Sequence, residues 1–323
     1  MPAGTELPAA VSCDPADVDL SVTLGRLRLP NPVLVASGTF GYAREMASLV
    51  DLGRLGGILP KTVTATPREG NAPWRTVETP AGMLNAIGLD NDGADAFLLH
   101  HLPYLASVGA PIVVSVAGRT HEEFVGLTRR FAEADPAIRP AAVELNLSCP
   151  NVSGGVDFGS DPSRCEAVVR EAVAAADLPV LAKLTPNVTS IPVMARAAEA
   201  GGADAITLIN TVLGMGVDWR KRRPLLANVV GGLSGPAIKP IALRCVWQAS
   251  QAVRTPIVGV GGVATIDDTM EFLVAGASAV QLGTVNFYRP TAAAAVLEAL
   301  PAALASLGAK RVADVVGTLA TDT

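Results

Sequence analysis

Reactive side chains stand at the ends of short apolar segments in this chain. Cys149 follows one such segment, within the string NLSCPN at positions 146–151, and Lys61 and Lys183 end two others. A thiolate can act as a base or a nucleophile, and a lysine at a strand end can pair with an anion or form a Schiff base. A cysteine is also often a small buried hydrophobe, and a lysine at a rim can lie in solvent, so both interpretations stay open here.

Glycine turns follow two further segments, as Gly261-Gly262 and as Gly283-Thr284. The backbone N–H groups of such turns can approach a phosphate closely, which predicts a phosphorylated substrate or cofactor. The histidines fall on or near predicted helices, away from these ends, at His100, His101 and His121. This placement disfavours a histidine triad or a zinc site, and we expect no bound metal.

The apolar segments before these residues are predicted to be strands. They are short and continuously apolar, which is typical of a parallel sheet covered on both faces. The eight segments are Pro32–Ala36, Gly57–Pro60, Pro111–Val116, Ala141–Leu147, Pro179–Lys183, Ala205–Ile209, Pro256–Val260 and Ala279–Leu282. Helical spacing of apolar residues predicts helices over Asp95–Leu105, His121–Ala134, Pro162–Ala176, Ile191–Ala200, Lys239–Val253, Ile266–Ala275 and Thr291–Leu307.

This alternation predicts an α/β chain of the (β/α)8, or TIM-barrel, class, with insertions after strands two, four and six. The insertions span Thr62–Asn91, Asn151–Ser160 and Asn210–Pro236. In such a barrel the carboxyl ends of all strands meet at one mouth, where active sites lie. The alternative is an open doubly wound sheet, which lacks its early G-x-G-x-x-G turn here. We expect a lead over residues 1–20 and a single barrel domain over residues 21–323.

The composition excludes several classes of protein. Of the 323 residues, 50% are hydrophobic and 17% are charged, which indicates a packed globular chain. The formal net charge of −5 argues against a nucleic-acid partner. Four cysteines without C-x-x-C spacing offer no local zinc or iron–sulfur cluster. The sequence has no signal-peptide pattern and no apolar run of the about 20 residues that a membrane helix needs, so we expect a cytoplasmic protein without a membrane partner.

Several strings of this sequence resemble motifs of the class 1 dihydroorotate dehydrogenases. The resemblance runs from about Leu20 to about Leu300 and includes NPVLVASGTFGY at 31–42, GMLNAIGLDN at 82–91, NLSCPN at 146–151, KLTPNV at 183–188, INTVLGM at 209–215 and GGLSGPAIKP at 231–240. The strings GTFGY at 38–42 and PREGN at 67–71 are more similar to the 1B subclass than to the fumarate-using 1A subclass.

The resemblance implies a barrel that holds FMN and oxidises dihydroorotate to orotate in pyrimidine synthesis, with Cys149 as the catalytic base. The residues implied at the substrate are Lys61, Asn85, Ala86, Ile87, Gly88, Leu89, Asn146, Asn151, Asn210 and Thr211. Those implied at the flavin are Ser37, Lys61, Thr62, Ser115, Asn146, Lys183, Ile209, Gly235, Gly261, Gly262, Gly283 and Thr284. Two residues depart from the family's pattern: Ser115 stands where asparagine is usual, and Trp74 where proline is common.

The 1B resemblance also implies a partner. That subclass passes electrons to a separate iron–sulfur flavoprotein subunit, which carries FAD and a [2Fe–2S] cluster and reduces NAD+. The sequence has neither the cysteine spacing for such a cluster nor a dinucleotide fingerprint. The resemblance further implies a homodimer of this chain as the core of a heterotetramer. The alternatives are a fumarate-dependent 1A enzyme, a barrel aldolase with a Schiff-base lysine, and a barrel that binds a phosphorylated ligand without catalysis.

Overall fold

A computed structural model describes residues 13–148 and 158–321. In chain order, strands β1 to β16 of these residues are Val22–Leu24, Leu27–Leu29, Val33–Val35, Gly57–Ile58, Thr76–Thr79, Gly82–Asn85, Val113–Val116, Ala142–Asn146, Val180–Lys183, Ala205–Leu208, Val212–Met215, Val217–Asp218, Arg223–Pro224, Val230–Ser234, Ile257–Val260 and Ala279–Leu282. Every predicted strand coincides with one of these. Ala279–Leu282 has the predicted bounds, and the other seven are shorter by one or two residues at one or both ends.

Eight parallel strands form the central sheet, in the order β4-β3-β16-β15-β10-β9-β8-β7. Its two edges meet, because parallel bridges join Ile58 to Ile112 and Val63 to Val116. The N–H of Val63 donates to the carbonyl of Ser115 at 2.8 Å across this seam. The sheet is therefore closed into the predicted (β/α)8 barrel.

Helices α1 to α9 of the described residues are Gly93–Ala96, Leu102–Ser107, His121–Ala132, Pro162–Ala175, Ile191–Ala200, Lys239–Ser250, Ile266–Ala275, Val285–Tyr288 and Ala292–Ser306. A π-helical turn over Phe97–His101 makes α1 and α2 continuous. Side chains cap several of them: Asp161 accepts from the N–H groups of Ser163 and Arg164, as expected for the residue before Pro162. None of these helices is long and apolar enough to span a membrane.

The first strand–helix unit departs from the barrel pattern. Between β3 and β4 the chain forms only 3-10 turns, at Arg44–Met46 and Leu52–Arg54, instead of an α-helix. Further 3-10 turns lie at Pro15–Asp17, Pro236–Ile238 and Val312–Asp314.

An antiparallel hairpin of β1 and β2 closes the amino-terminal end of the barrel. Leu24, Leu27 and Leu29 are buried there against residues that begin the barrel strands, among them Leu34, Val113 and Leu181. Arg26, beside the turn, forms two bonds to the Asp204 carboxylate, from Nε at 3.0 Å and from Nη2 at 2.9 Å. The hairpin lies within residues 21–323, the span predicted as a single domain.

The insertions after the second and sixth barrel strands pair with each other. Strands β5, β6, β14 and β11 form a four-stranded antiparallel sheet, which we call the roof sheet. Its central pair places Asn85 opposite Gly232 and Met83 opposite Ser234. Strands β12 and β13 extend the second insertion as a short ribbon. Most of the insertion predicted after the fourth strand lies outside the described residues.

Candidate active site

The roof sheet is tied to the carboxyl ends of several barrel strands. Thr284, after β16, donates to or accepts from Ser234 of the roof at an oxygen–oxygen distance of 2.8 Å. Asn187, after β9, donates to the carbonyl of Thr211 at 3.0 Å and accepts from the N–H of Leu213 at 2.9 Å. The roof sheet and the strand ends therefore bound one space, which we call the cup.

Amide side chains line one side of the cup. Asn210 Nδ2 donates to Asn146 Oδ1 at 3.2 Å and also to Ser148 Oγ, while Ser148 Oγ donates to the same Asn146 oxygen at 2.7 Å. Asn146 also lies beside Lys183 in the register of β8 and β9. Asn85 is held on the roof by a bond from its Nδ2 to the carbonyl of Gly232 at 3.3 Å. The structure thus brings Asn146, Asn210 and Lys183 together and sets Asn85 and Thr211 on the sheet above them.

The turn over residues 86–89 is fixed by two asparagines that sequence reasoning missed. Asn71 Nδ2 donates to the carbonyl of Ala86 at 2.8 Å. Asn91 Nδ2 donates to the carbonyl of Leu89 at 2.7 Å, and its Oδ1 accepts from the N–H groups of Thr64 and Gly93. Both residues stand inside strings that resemble the family's motifs, PREGN and GMLNAIGLDN, and this position could have indicated them. Asn187 stands likewise at the end of KLTPN. Their role here is to hold the loops that carry other predicted site residues.

The floor of the cup is a buried polar group inside the barrel. Lys183 is 4% exposed and Glu144 is 0% exposed. Lys183 Nζ lies 3.5 Å from Glu144 Oε1 and donates to Gln281 Oε1 at 3.3 Å. Glu144 Oε2 accepts from Thr207 Oγ1 at 2.9 Å and from Gln281 Nε2 at 2.8 Å. Because Lys183 is paired with a carboxylate, the site favours it as a charge partner over a Schiff-base nucleophile.

The same side of the cup contains a buried pair of hydroxyl groups and a second lysine, Lys61. The hydroxyls of Thr62 and Ser115 are 2.9 Å apart, and Ser115 is fully buried, so the serine that departs from the family's asparagine has a partner of its own. The N–H of Lys61 donates to the carbonyl of Gly41 at 3.1 Å, which ties it to the turn after β3. Among the described residues, no carboxylate lies within ion-pair distance of Lys61 Nζ. Lys61 is therefore available to an anion.

The glycine turns form a cradle at the opposite side of the cup. Gly262 has a φ of +77°, and a Cβ there would lie 3.0 Å from the carbonyl oxygen of Gly235. A Cβ at Gly261 would lie 3.4 Å from Ile209, which brings that predicted residue to the same place. The N–H groups of Gly262, Gly283 and Thr284 donate to no acceptor in the part of the chain that the structure describes. Three free donors close together suit an anion such as a phosphate.

The cradle is supported from behind by an ion-paired cap. Asp268 accepts from the N–H groups of Ala264 and Thr265, both at 2.9 Å, and from Lys239 Nζ at 2.6 Å. Burial acts to raise the pKa of Asp268, but the bonds from Lys239, Thr265 and the backbone outweigh it and leave the pKa below its ordinary value. Lys239 also pairs with Glu271 at 2.9 Å, and these bonds raise the pKa of Lys239. The network ties the chain that follows Gly262 to the start of α6, which carries Lys239.

The predicted base, Cys149, and the predicted substrate residue Asn151 lie outside the described residues. The other cysteines are unsuited to catalysis. Cys165 and Cys245 are buried, and burial raises the pKa of Cys165 to about 12. Cys13 is partly exposed and donates to the carbonyl of Ala309 at 3.3 Å, at the far end of the molecule from the cup. Trp74, the other departure, is 78% exposed, and its carbonyl accepts from the N–H of Ala227 at 2.9 Å.

Comparison with known proteins agrees with this arrangement. The sequence profile described as dihydroorotate dehydrogenase matches residues 19–304. The chain belongs to the dihydroorotate dehydrogenase family. Among its relatives, the protein named dihydroorotate dehydrogenase B (NAD(+)), catalytic subunit, of Pelobacter propionicus is 49% identical over 302 residues, which cover 93% of this chain and 98% of the relative.

Proteins of the same name are similarly close in two further organisms. That of Geotalea uraniireducens is 48% identical over 304 residues, covering 94% of this chain and 99% of the relative. That of Desulforudis audaxviator is 49% identical over 301 residues, covering 93% of this chain and 97% of the relative. The similarity thus extends over the barrel, the roof sheet and the glycine cradle alike.

The residues of the cup fit the flavin that the family implies. The three unpartnered N–H groups of the cradle suit the phosphate of FMN. Across the cup, Lys183 provides a buried cation where a flavin ring would acquire negative charge on reduction. The turn after β3 carries Ser37 beside the cradle, since a Cβ on Gly283 would be 3.6 Å from Ala36 and 3.9 Å from Thr39. A flat ring between cradle and floor is compatible with these contacts.

Proposed function

We propose that this chain oxidises dihydroorotate to orotate for pyrimidine synthesis, with FMN bound in the cup as the immediate electron acceptor. The observation that carries the proposal is the meeting of three features at one mouth: the amides of Asn146 and Asn210, the buried cation Lys183 and the unpartnered N–H groups of the glycine cradle. The name shared by the relatives supports the same reaction.

The substrate is a flat ring with alternating hydrogen-bond donors and acceptors and one carboxylate. A carboxamide both donates and accepts, so Asn85, Asn146, Asn151 and Asn210 suit the ring edge. Lys61 suits the substrate carboxylate, because no carboxylate of the described residues lies within ion-pair distance of it. Thr211 and the backbone over residues 86–89 would complete the pocket from the roof side. The mutual bonds of Asn146, Ser148 and Asn210 orient these groups before the substrate arrives.

The reaction removes two hydrogens from adjacent ring carbons. When bound, FMN supplies the acceptor for the hydride that leaves C6. The proton at C5 needs a base on the other face of the ring, and we assign it to Cys149. A thiol with an ordinary pKa of about 8.5 is mostly protonated at neutral pH. The rate of flavin reduction should therefore rise with pH on the alkaline side as the thiolate forms.

Lys183 would act on the flavin side of the substrate ring, opposite to Cys149. A cation close to the flavin stabilises the negative charge that hydride arrival creates, by a few kcal/mol at about 4 Å and an effective dielectric near 20, before its desolvation is counted. Ser37, Thr62, Ser115, Ile209 and Gly235 would contact the ring and its chain. A hydroxyl has one donor and two acceptor sites, so its bond to the fully buried Ser115 leaves Thr62 further capacity toward a ligand.

Electrons must then leave the cup for a second protein. The names of the relatives include a catalytic subunit and NAD(+), which supports a separate electron-transfer subunit. We propose that this partner is an iron–sulfur flavoprotein with FAD and a [2Fe–2S] cluster, bound to a homodimer of this chain in a heterotetramer. The single barrel domain over residues 21–323 and the cytoplasmic location remain predictions.

The test begins with the spectrum of the purified chain. We expect a yellow protein that dihydroorotate bleaches in the absence of air. Cys149→Ser should stay yellow but be reduced slower by orders of magnitude, whereas Cys13→Ser, the matched control at the far end of the molecule, should keep the parent rate. A colourless protein that cannot bind added FMN, or a Cys149→Ser variant reduced at the parent rate, would contradict the proposal.

The pH profile and the acceptor sharpen this test. Single-turnover reduction of the parent should accelerate as pH rises toward 9 and then level off, and a rate independent of pH would remove Cys149 as the base. Fumarate should be a poor acceptor for the isolated chain. Rapid reduction of fumarate would instead assign the 1A reaction.

A further inference from the structure

A carboxylate lies inside the barrel directly beneath the cup, at Glu144. Two donors from two different strands, Thr207 Oγ1 and Gln281 Nε2, hold its Oε2 atom. Its Oε1 atom accepts no hydrogen bond from any described residue and lies 3.5 Å from Lys183 Nζ. The two bonds to Oε2 orient the carboxylate so that Oε1 faces the lysine.

This arrangement is costly for a core position. Burying a carboxylate is unfavourable unless it is paired and hydrogen-bonded, and well-packed apolar residues often serve stability better. Glu144 and Lys183 are both almost inaccessible to solvent, at 0% and 4% exposure. Gln281 also contacts both partners, since it donates to Glu144 and accepts from Lys183 at 3.3 Å. The arrangement therefore orients and pairs with the Lys183 ammonium, and does more than fill space in the core.

We infer that Glu144 is a positioning residue that keeps the Lys183 ammonium charged and fixed at the floor of the cup, and thereby sets how strongly the reduced flavin is favoured. The inference rests on the proposed function, because it needs FMN above Lys183. Glu144 itself faces the lysine from below and acts on the flavin only through it. Thr207 and Gln281 set the direction of the carboxylate.

The test replaces the carboxylate by an isosteric amide, Glu144→Gln. A buried ammonium without a counter-charge is too costly to keep charged, so the cation at the floor of the cup is lost. The equilibrium ratio of reduced to oxidised FMN, measured by anaerobic titration against a redox dye at saturating FMN, should fall about tenfold. That change is about 30 mV for a two-electron couple.

A second background shows whether Glu144 acts through the lysine. Lys183→Met removes the cation directly and should lower the same ratio at least as much. In the Lys183→Met background, Glu144→Gln should produce no further fall. An equal fall in both backgrounds, or no fall in the parent background, would overturn the inference.

Two further variants control for packing. Thr207→Val keeps the side-chain volume and removes one of the two bonds that aim the carboxylate, so it should shift the ratio in the same direction by a smaller factor. Thr128→Val removes a buried hydroxyl that donates to the carbonyl of Phe124 at 2.8 Å on α3, and should leave the ratio unchanged. If Glu144→Gln fails to fold, Thr207→Val decides: an unchanged ratio there overturns the inference. A parent chain that binds no FMN would instead refute the proposed function itself.

Discussion

The two ends of the barrel are built from the same strands but from different chemistry. At the amino-terminal end, the inward residues of the strands are apolar and pack on the leucines of the β1–β2 hairpin. On five of these strands, the inward position two residues further along is polar and lies at the floor or side of the cup. The five pairs of apolar and polar inward residues are Val113 and Ser115, Ala142 and Glu144, Leu181 and Lys183, Ala205 and Thr207, and Ala279 and Gln281.

This contrast follows from the period of a strand. Side chains alternate across a strand, so residues two apart point to the same face and make successive layers of a barrel interior. One layer can therefore serve stability and the next can serve binding without disturbing each other. The comparison teaches that changes at the closed end should cost stability alone, and changes at the mouth should cost ligand affinity or rate. Two variants test this separation, and a third tests the helix cap that supports the cradle from outside the cup.

The largest effect is expected at the closed end, for Leu24→Ala. Leu24 is fully buried under the barrel, and truncating a buried leucine costs about 2–5 kcal/mol of unfolding free energy. Denaturant unfolding should register this loss, while the rate of flavin reduction per flavin-loaded molecule stays at the parent value. Leu99→Ala, which truncates a leucine that is 69% exposed, is the control and should change neither. A slowed reduction step in Leu24→Ala would break the separation of the two ends.

An intermediate effect is expected in the cradle, for Gly283→Ala. A Cβ there meets only Ala36 at 3.6 Å and Thr39 at 3.9 Å, which are ordinary contacts, so the protein without ligand should keep its stability. The methyl group would enter the space assigned to the FMN phosphate. We expect the FMN dissociation constant to rise about tenfold, or about 1.4 kcal/mol, by fluorescence titration.

The control for the cradle is Gly126→Ala on α3, where a Cβ meets nothing within 4 Å. It should leave FMN affinity unchanged. Unchanged affinity in Gly283→Ala would place the phosphate elsewhere.

The smallest effect is expected behind the cradle, for Asp268→Asn. Loss of the capping carboxylate should cost about 1 kcal/mol at neutral pH. Because the pKa of Asp268 is lowered on folding, its contribution is complete above its unfolded pKa of about 4 and disappears as pH falls through the lower folded value. Urea unfolding of parent and variant should therefore differ at pH 7 and converge in acid. A difference that grows on acidification would contradict the assignment.

The sequence predicted the barrel because each strand is a local apolar run with a polar end. It did not predict the roof sheet, since Asn85 and Gly232 pair although 147 residues separate them, and no local pattern encodes that pairing. The missing first helix had a signal: residues 37–56 include four glycines, which disfavour a helix.

The sequence indicated candidate site residues but not the residues that support them. Lys183, Asn146 and the glycine turns were indicated by their positions at or after strand ends. Glu144, Thr207 and Gln281 were missed because each interrupts an apolar run on its own strand, and their common contact exists only once the barrel is closed. Each of them stands two positions after an apolar residue on the same face of its strand, and this pattern could have indicated them.

The pairing within the roof sheet also affects how the protein is made. While the ribosome extends the chain, the segment over residues 82–85 can pair with β5 on one edge, but its other edge has no partner until residues 230–234 have emerged. Most of the polypeptide must therefore be synthesised before the binding site can be assembled, and contacts of such sequence separation form slowly. A nascent chain interrupted before that point would lack a functional pocket, however many of its strands had already folded.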